Sequence, residues 1–199
     1  MMGLPSAVVY VNMFGNPADY DSIKDYCDKH RIPLIEDAAQ SQGAMYGKVP
    51  SGAMGDVSVF SFDPMKNMPS FGGGGMVLTD SKEIRDTVLS LRRHGITGKD
   101  KYGYNSLISE DHANQLLLLL KKFDRLQAMR DKVCRRYMKN IPEVQILCAG
   151  PNTKSSNHKL VIINDRRDEL KAYLETKGIE TKIHYQKTLD AEHVGQYPN

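Results

Sequence analysis

Two apolar segments of this sequence end in side chains with carboxylate, hydroxyl and amine groups, and a ligand site is expected at these ends. Asp37 closes the apolar run Pro33 to Ala38, and Ser61 to Lys66 stand at the end of the run Val57 to Phe62. Such runs, separated by a helical pattern, are typical of parallel strands in an α/β fold. Ligands of open parallel sheets bind at the carboxyl ends of the strands, so these residues are the first candidates for chemistry.

Each of these residues also has an ordinary structural explanation. Asp37 alone would be a helix cap or a turn residue, Ser61 a strand serine bonded to backbone, and Lys66 a solvated surface lysine. Lys66, however, lies between Pro64 and the glycine run Gly72 to Gly75, so the chain turns sharply where a ligand could approach the backbone. The residues by themselves leave both interpretations open.

The elements that must position these residues follow from apolar periodicity. Further strands are predicted at Ala7–Phe14 and Met76–Thr79, and helices at Asp19–His30 and Lys82–His94. A long helix begins near Ser109, whose hydroxyl and the two acids after it suit a helix N-terminus, and it ends at about Asn140. The C-terminal part then predicts a strand, a helix and a strand, at Lys159–Ile163, Arg167–Lys177 and Glu180–Tyr185.

Composition excludes several functional classes. Lys and Arg outnumber Asp and Glu by only 27 to 24 in 199 residues, and residues of like charge do not form clusters in the sequence. The composition therefore does not indicate binding to nucleic acid. The longest apolar run, Leu116 to Leu120, is too short to cross a bilayer, and no signal peptide is recognisable, which favours a cytoplasmic protein. Three widely spaced cysteines without CxxC spacing predict neither a disulfide framework nor a metal site.

Three ordered segments carry a family resemblance. They read IEDAAQSQGAMYGK (Ile35 to Lys48), FSFDPMKNMPSFGGGGMVLTD (Phe60 to Asp80) and GYNSLISEDHANQ (Gly103 to Gln115). In this order and spacing they closely resemble the DegT/DnrJ/StrS family of sugar aminotransferases, which depend on pyridoxal phosphate (PLP). Weaker similarities flank them, at VNMFGNPADYDSI (Val11 to Ile23), LRRHG (Leu91 to Gly95) and IHYQKTL (Ile183 to Leu189).

The resemblance implies specific roles for the strand-end residues. Lys66 is identified as the Schiff-base lysine, which binds the PLP aldehyde and shuttles a proton between substrate and cofactor carbons. Asp37 is similar to the carboxylate that keeps the PLP ring nitrogen protonated, and Glu36 beside it would face the other side of the strand. Ser61 matches the phosphate-binding serine, and Gln40 the residue packed near the ring and its phenolic oxygen.

Three further residues take roles from the resemblance. Asn105 resembles the residue that reaches the phosphate from the partner subunit, which implies a homodimer with shared active sites. An Asn in a polar loop is otherwise a turn former. His184 and Tyr185 fall where the family places a His-Tyr pair near the sugar nucleotide, although a histidine at a strand end is as often a structural hydrogen-bond partner.

The resemblance also shows departures. Asp63 and Met65 replace residues that are more usual before the lysine, and Leu107 replaces an Arg that commonly follows Asn-Ser. Family members extend beyond both ends of this chain, so we expect a truncated fold type I protein. The expected α/β division is a partial PLP-binding large domain at 1–110, a long interdomain helix at 111–140 and a partial small α+β domain at 141–199.

The resulting functional hypothesis is a transaminase for amino-sugar and polysaccharide biosynthesis, lipopolysaccharide included. It would transfer an amino group from an amino acid, glutamate by resemblance, to a nucleotide-linked keto-sugar. Related sugar dehydratases have a histidine in place of the lysine, so Lys66 argues against that reaction. The remaining alternative is a fragment without catalysis that serves as a binding or dimerising module.

Overall fold

A computed structural model describes residues 3–96 and 102–187 and confirms the predicted α/β fold with a mostly parallel sheet. We number the elements in chain order, leaving out one short 3-10 turn. They are β1 (Val8–Val11), α1 (Tyr20–His30), β2 (Leu34–Asp37), β3 (Met45–Tyr46), β4 (Val49–Pro50), β5 (Val57–Ser61), β6 (Gly75–Leu78), α2 (Lys82–Leu91), α3 (Glu110–Leu120), α4 (Phe123–Asn140), β7 (Gln145–Ile146), β8 (Thr153–Lys154), β9 (Ile162–Ile163) and α5 (Arg167–Thr176).

The main sheet has the strand order β1-β2-β5-β6. The first three strands are parallel, and β6 returns antiparallel to β5. One face packs on the apolar core formed by Tyr10, Cys27, Leu34 and Met54. The other face is open, and Val9 on it keeps 63% of its surface exposed. The candidate residues must therefore be assigned to one of two very different faces.

Serine hydroxyls define the first turns of two helices. The Ser81 hydroxyl accepts a hydrogen bond from the Ile84 amide at the start of α2, at 3.3 Å. The Ser109 hydroxyl accepts one from the His112 amide at the start of α3, also at 3.3 Å. Both satisfy a backbone donor that has no partner within the helix, which explains why the helices begin where they do.

One long helix was expected from Ser109 to Asn140, and the structure has two helices there. The break lies at Lys121 and Lys122, where the Lys122 amide bonds to the Leu119 carbonyl at 2.9 Å in a tighter turn. After the break, the Phe123 ring packs close to Gly43. The packing of this turn on the Gly43 loop is a tertiary contact, which helical periodicity does not report.

The C-terminal part has two short strands that were not expected, β7 and β8, and lacks one strand that was. Residues Glu180 to Tyr185 form no strand, because they pair with no neighbouring strand among the described residues. The chain divides into two compact units, Met1–Ile162 and Ile163–Asn199, and α5 belongs to the second. The domain boundaries predicted from the sequence remain a prediction. Through residues 3–96 and 102–187, no helix combines the length and apolar character needed to span a membrane.

Candidate functional site

Asp37 and Ser61 share the open face of the sheet. Asp37 is paired with Val59 in the parallel register of β2 and β5. Because side chains alternate along a strand, Asp37, Val59 and Ser61 all point to the same side. Val11, which is paired with Asp37, is 37% exposed on this side. The fold thus places a carboxylate and a hydroxyl together at the carboxyl edge of two neighbouring strands.

Both groups retain hydrogen-bonding capacity. Asp37 Oδ1 accepts from the Ala39 amide at 3.0 Å, and among the described residues the second carboxylate oxygen has no partner. Ser61 Oγ accepts from the Asp63 amide at 3.3 Å, so its hydroxyl hydrogen is left to donate. This edge therefore offers one acceptor and one donor to a ligand.

Lys66 lies on the loop of residues 62–74, which we call the Lys66 loop. Local turns shape it, since the Lys66 amide bonds to the Asp63 carbonyl at 2.9 Å and the Ser70 amide to the Phe62 carbonyl at 2.8 Å. Asp63, the departure noted above, has a structural role here because its Oδ1 accepts from the Met65 amide at 2.9 Å. In the described part of the chain, nothing binds the partly buried Lys66 ammonium group.

Gln40 lies beside the turn that follows β1. Its Oε1 accepts from the Phe14 amide at 2.8 Å, which fixes the orientation of the side-chain amide. Its Nε2 has no partner within residues 3–96 and 102–187. Gln40 is therefore held as a hydrogen-bond donor next to the strand end that carries Asp37.

Glu36 lies on the opposite face from Asp37, as the alternation predicts, and is fully buried. Five residues, the Glu36 cluster, donate hydrogen bonds to its carboxylate at 2.7–3.1 Å: Asn12, Ser51, Gly52, Met54 and Ser58. Burial, and after it the charge of Glu36, raise the pKa of nearby Tyr10. The cluster ties the end of β2 to β1, to β5 and to the turn at residues 51–54. A sequence shows only two adjacent acids here, so the role of Glu36 was not foreseen.

Two buried amides, also not foreseen, attach the Lys66 loop to the rest of the fold. Gln42 donates to the Ser61 carbonyl at 3.0 Å and accepts from the Met68 amide at 3.1 Å. Asn67 donates to the Ser156 carbonyl at 2.9 Å, and its Oδ1 lies 3.0 Å from His158 Nδ1. In the sequence, the only indication of this role is that Asn67 directly follows Lys66, because the hydrogen-bond partners of Asn67 lie far away along the chain.

No described contact joins Asn105 to Asp37, Ser61 or Lys66. Asn105 is exposed and forms an isolated backbone bridge with Arg93. His184 and Tyr185 belong to the second unit, where their exposed rings stack with centroids 5.3 Å apart. Their predicted substrate role stays a prediction.

A cavity of about 1350 Å³ extends around β6 and is lined mainly by glycines and apolar side chains. Its walls include the glycine run, α2 and residues 106–109. Asp37, Ser61 and Lys66 do not line it, although it reaches their face of the sheet at Val59. We place the candidate site at the strand ends, because the charged and polar groups converge there.

Comparison with known proteins assigns the chain to a family. The sequence model of the DegT/DnrJ/EryC1/StrS aminotransferase family matches residues 4–197. The dTDP-3-amino-3,4,6-trideoxy-alpha-D-glucose transaminase of Streptomyces venezuelae is 34% identical over 185 residues, which are 90% of this chain and 49% of that protein.

Solved structures agree with this assignment. A DegT/DnrJ/EryC1/StrS aminotransferase from Brucella abortus superimposes with a TM-score of 0.90 at 32% identity, covering 97% of this chain and 53% of that one. DesV from S. venezuelae, solved in complex with a ketimine intermediate, gives 0.89 at 32% identity, with coverage of 97% and 54%. The chain thus spans about half the length of these relatives. It belongs to the DegT/DnrJ/EryC1/StrS aminotransferase family.

Proposed function

We propose that this chain is part of an aminotransferase that moves an amino group from an amino acid, glutamate, to a keto group of a nucleotide-linked sugar. PLP is the cofactor of the aminotransferases of this family. The observation that carries the proposal is the convergence of Asp37 and Ser61 on one open sheet face, directly before the loop that bears Lys66.

The chemistry of these residues fits the cofactor. Asp37 offers a carboxylate oxygen that would hold a proton on the ring nitrogen through a charge-assisted hydrogen bond. Ser61 offers a hydroxyl hydrogen to the phosphate, and Gln40 Nε2 offers a donor to the phenolic oxygen. Lys66 offers an amine without a competing partner in the described structure. The four groups supply one acceptor, two donors and one nucleophile.

Each residue then has a defined task. The bound cofactor supplies an electron sink for the substrate carbon that loses a proton. Lys66 Nζ would bind the cofactor covalently, and once displaced by the incoming amine it would carry the proton from one carbon to the other. Asp37 would keep the ring nitrogen charged throughout, while Ser61 and Gln40 would hold the orientation of the ring.

We propose that Asn105 reaches the cofactor phosphate bound in a partner subunit. Its side chain is exposed and forms no hydrogen bond within the described residues, so it is available to a second copy of the chain. We expect light scattering to give a mass twice the 22.4 kDa of one chain. A mass of a single chain at all accessible concentrations would contradict the shared site.

Covalent capture tests the proposal. Purified chain is mixed with PLP, reduced with borohydride and digested, and the modified lysine is identified by mass spectrometry. We expect the adduct on Lys66, its loss in Lys66→Ala, and its retention in the control Lys48→Ala, because Lys48 is exposed on the turn between β3 and β4. Equal modification of Lys66 and Lys48 would favour the alternative of a non-catalytic binding module.

A further inference from the structure

We propose that Asn67 and His158 are positioning residues for Lys66. Together with Ser156 they form the Asn67 cluster, which attaches the Lys66 loop to a segment 91 residues further along the chain. The inference deepens the proposed function and rests on it, since it concerns how the amine of Lys66 is held where a cofactor is captured.

The hydrogen-bond directions in this cluster follow from the partners. Asn67 Nδ2 faces two carbonyl oxygens, that of Ser156 at 2.9 Å and that of Gln42 at 3.5 Å. This orientation makes Oδ1 the acceptor toward His158 Nδ1 at 3.0 Å, so His158 must carry its hydrogen on Nδ1. Because both the neutral Nδ1-H form and the imidazolium donate from Nδ1, this bond survives a change of charge on His158.

The far side of the cluster is itself anchored. The Ser156 amide donates to the Gly15 carbonyl at 2.9 Å, and its hydroxyl donates to the Gln40 carbonyl at 3.1 Å. Gln127 of α4 donates to the same Ser156 carbonyl at 2.9 Å. The segment that contacts Asn67 is therefore held to the turn after β1, to the backbone of Gln40 and to α4.

Such an anchor matters because Lys66 has no fixation of its own. No described residue binds its ammonium group. Gln42 bonds the loop at Met68 and Gln115 bonds it at Phe71, so Asn67 is the anchor that directly adjoins Lys66. Asn67 is 6% exposed, and its Cα must lie about 3.8 Å from that of Lys66. Fixing the Asn67 side chain therefore limits where Lys66 can move. Misplacement of a reacting group by about 1 Å can cost about a hundredfold in rate.

The test uses three variants of the full chain. Asn67→Ala removes the hydrogen bonds of Asn67 to Ser156, Gln42 and His158, and His158→Leu removes one donor. His158→Asn is the conservative partner, because its amide nitrogen can occupy nearly the position of Nδ1. Each protein is treated with PLP and borohydride, and the rate of modification at Lys66 is divided by that at exposed Lys48 in the same sample.

We expect this ratio to fall at least tenfold in Asn67→Ala and His158→Leu and to remain near the wild-type value in His158→Asn. Unfolding would also lower this ratio, but it would remove amide protection throughout the chain, whereas loss of the anchor affects the Lys66 loop. The amide hydrogen exchange of each variant therefore distinguishes the two causes. An unchanged ratio in Asn67→Ala and His158→Leu would overturn the inference.

Hydrogen exchange of the cofactor-free chain separates the two proposals. If wild-type protein shows no preference for Lys66 over Lys48, the proposed function fails. The anchoring then still predicts faster exchange of the Lys66 and Ser70 amides in Asn67→Ala and His158→Leu, but not in His158→Asn. Equal protection in all four proteins would show that the Asn67 cluster does not hold the loop.

Discussion

Replacing Glu36 with glutamine should cost far more than the loss of one charge suggests. The carboxylate is fully buried, and every described contact of its two oxygens is with a donor. An amide turns one of these oxygens into a donor. On the Oε2 side it would face the amides of Gly52 and Met54, which cannot rotate. An amide nitrogen at the Oε1 position would face Asn12 Nδ2, which is also a donor. Asn12 cannot present its side-chain oxygen instead, because that oxygen already accepts from the Ala18 amide.

Either orientation leaves at least one buried donor unpaired, which costs about 1–3 kcal/mol. The remaining bonds lose their charge assistance, which is worth roughly 1 kcal/mol for each bond. We therefore expect Glu36→Gln to lower the free energy of unfolding by about 3 kcal/mol or more. That is a large part of the roughly 5–15 kcal/mol that stabilises a typical domain.

Urea unfolding followed by circular dichroism measures this loss. The matched control is Glu143→Gln, because Glu143 is exposed and should tolerate the change within about 0.5 kcal/mol. If Glu36→Gln unfolds at the same urea concentration as the control, the donors do not stabilise the end of β2 and the reasoning is refuted.

Two further predictions concern packing and thiol chemistry. Gly15→Ala should cost about 2 kcal/mol or more, because φ is +95° and the new Cβ would lie 2.4 Å from Ser156 Oγ, whereas Gly150→Ala meets no atom within 4 Å and should be near neutral in the same urea titration. Cys148 is exposed, while burial raises the pKa of the Cys134 thiol and lowers its thiolate fraction at any given pH. Alkylation at pH 8, read by mass spectrometry, should therefore modify Cys148 at least about tenfold faster, and equal rates would contradict the burial of Cys134.

The elements close to the site could be predicted, because their signals are local. The runs ending at Asp37 and Ser61 are strands, and alternation along β2 places Glu36 and Asp37 on opposite faces. The helix break at Lys121 depends on packing against Gly43, which no periodicity encodes. The antiparallel direction of β6 likewise depends on how the glycine run turns. A strand at Glu180–Tyr185 was wrong, because β-propensity cannot supply the neighbouring strand that pairing needs.

The residues that hold the site in place were out of reach for a similar reason. Asn67 contacts His158 across 91 positions, and Ser156 contacts Gln40 across 116. Pattern reading works within windows of about 11–18 residues, so contacts at such separations leave no trace in it. The positions of the reactive residues could therefore be predicted from the sequence, whereas the contacts that hold these residues in place could not.

The 91-residue separation within the Asn67 cluster also has a consequence during synthesis of the protein. A ribosome that adds about 5–20 residues each second needs about 5 to 18 s to extend the chain from Asn67 to His158. For most of that interval, once β6 has been synthesised, the sheet and its lysine loop can already exist, but the bonds from Asn67 to Ser156 and His158 cannot. A chaperone or protease that meets the nascent chain therefore encounters the loop in a less ordered form than any reagent added to the finished protein.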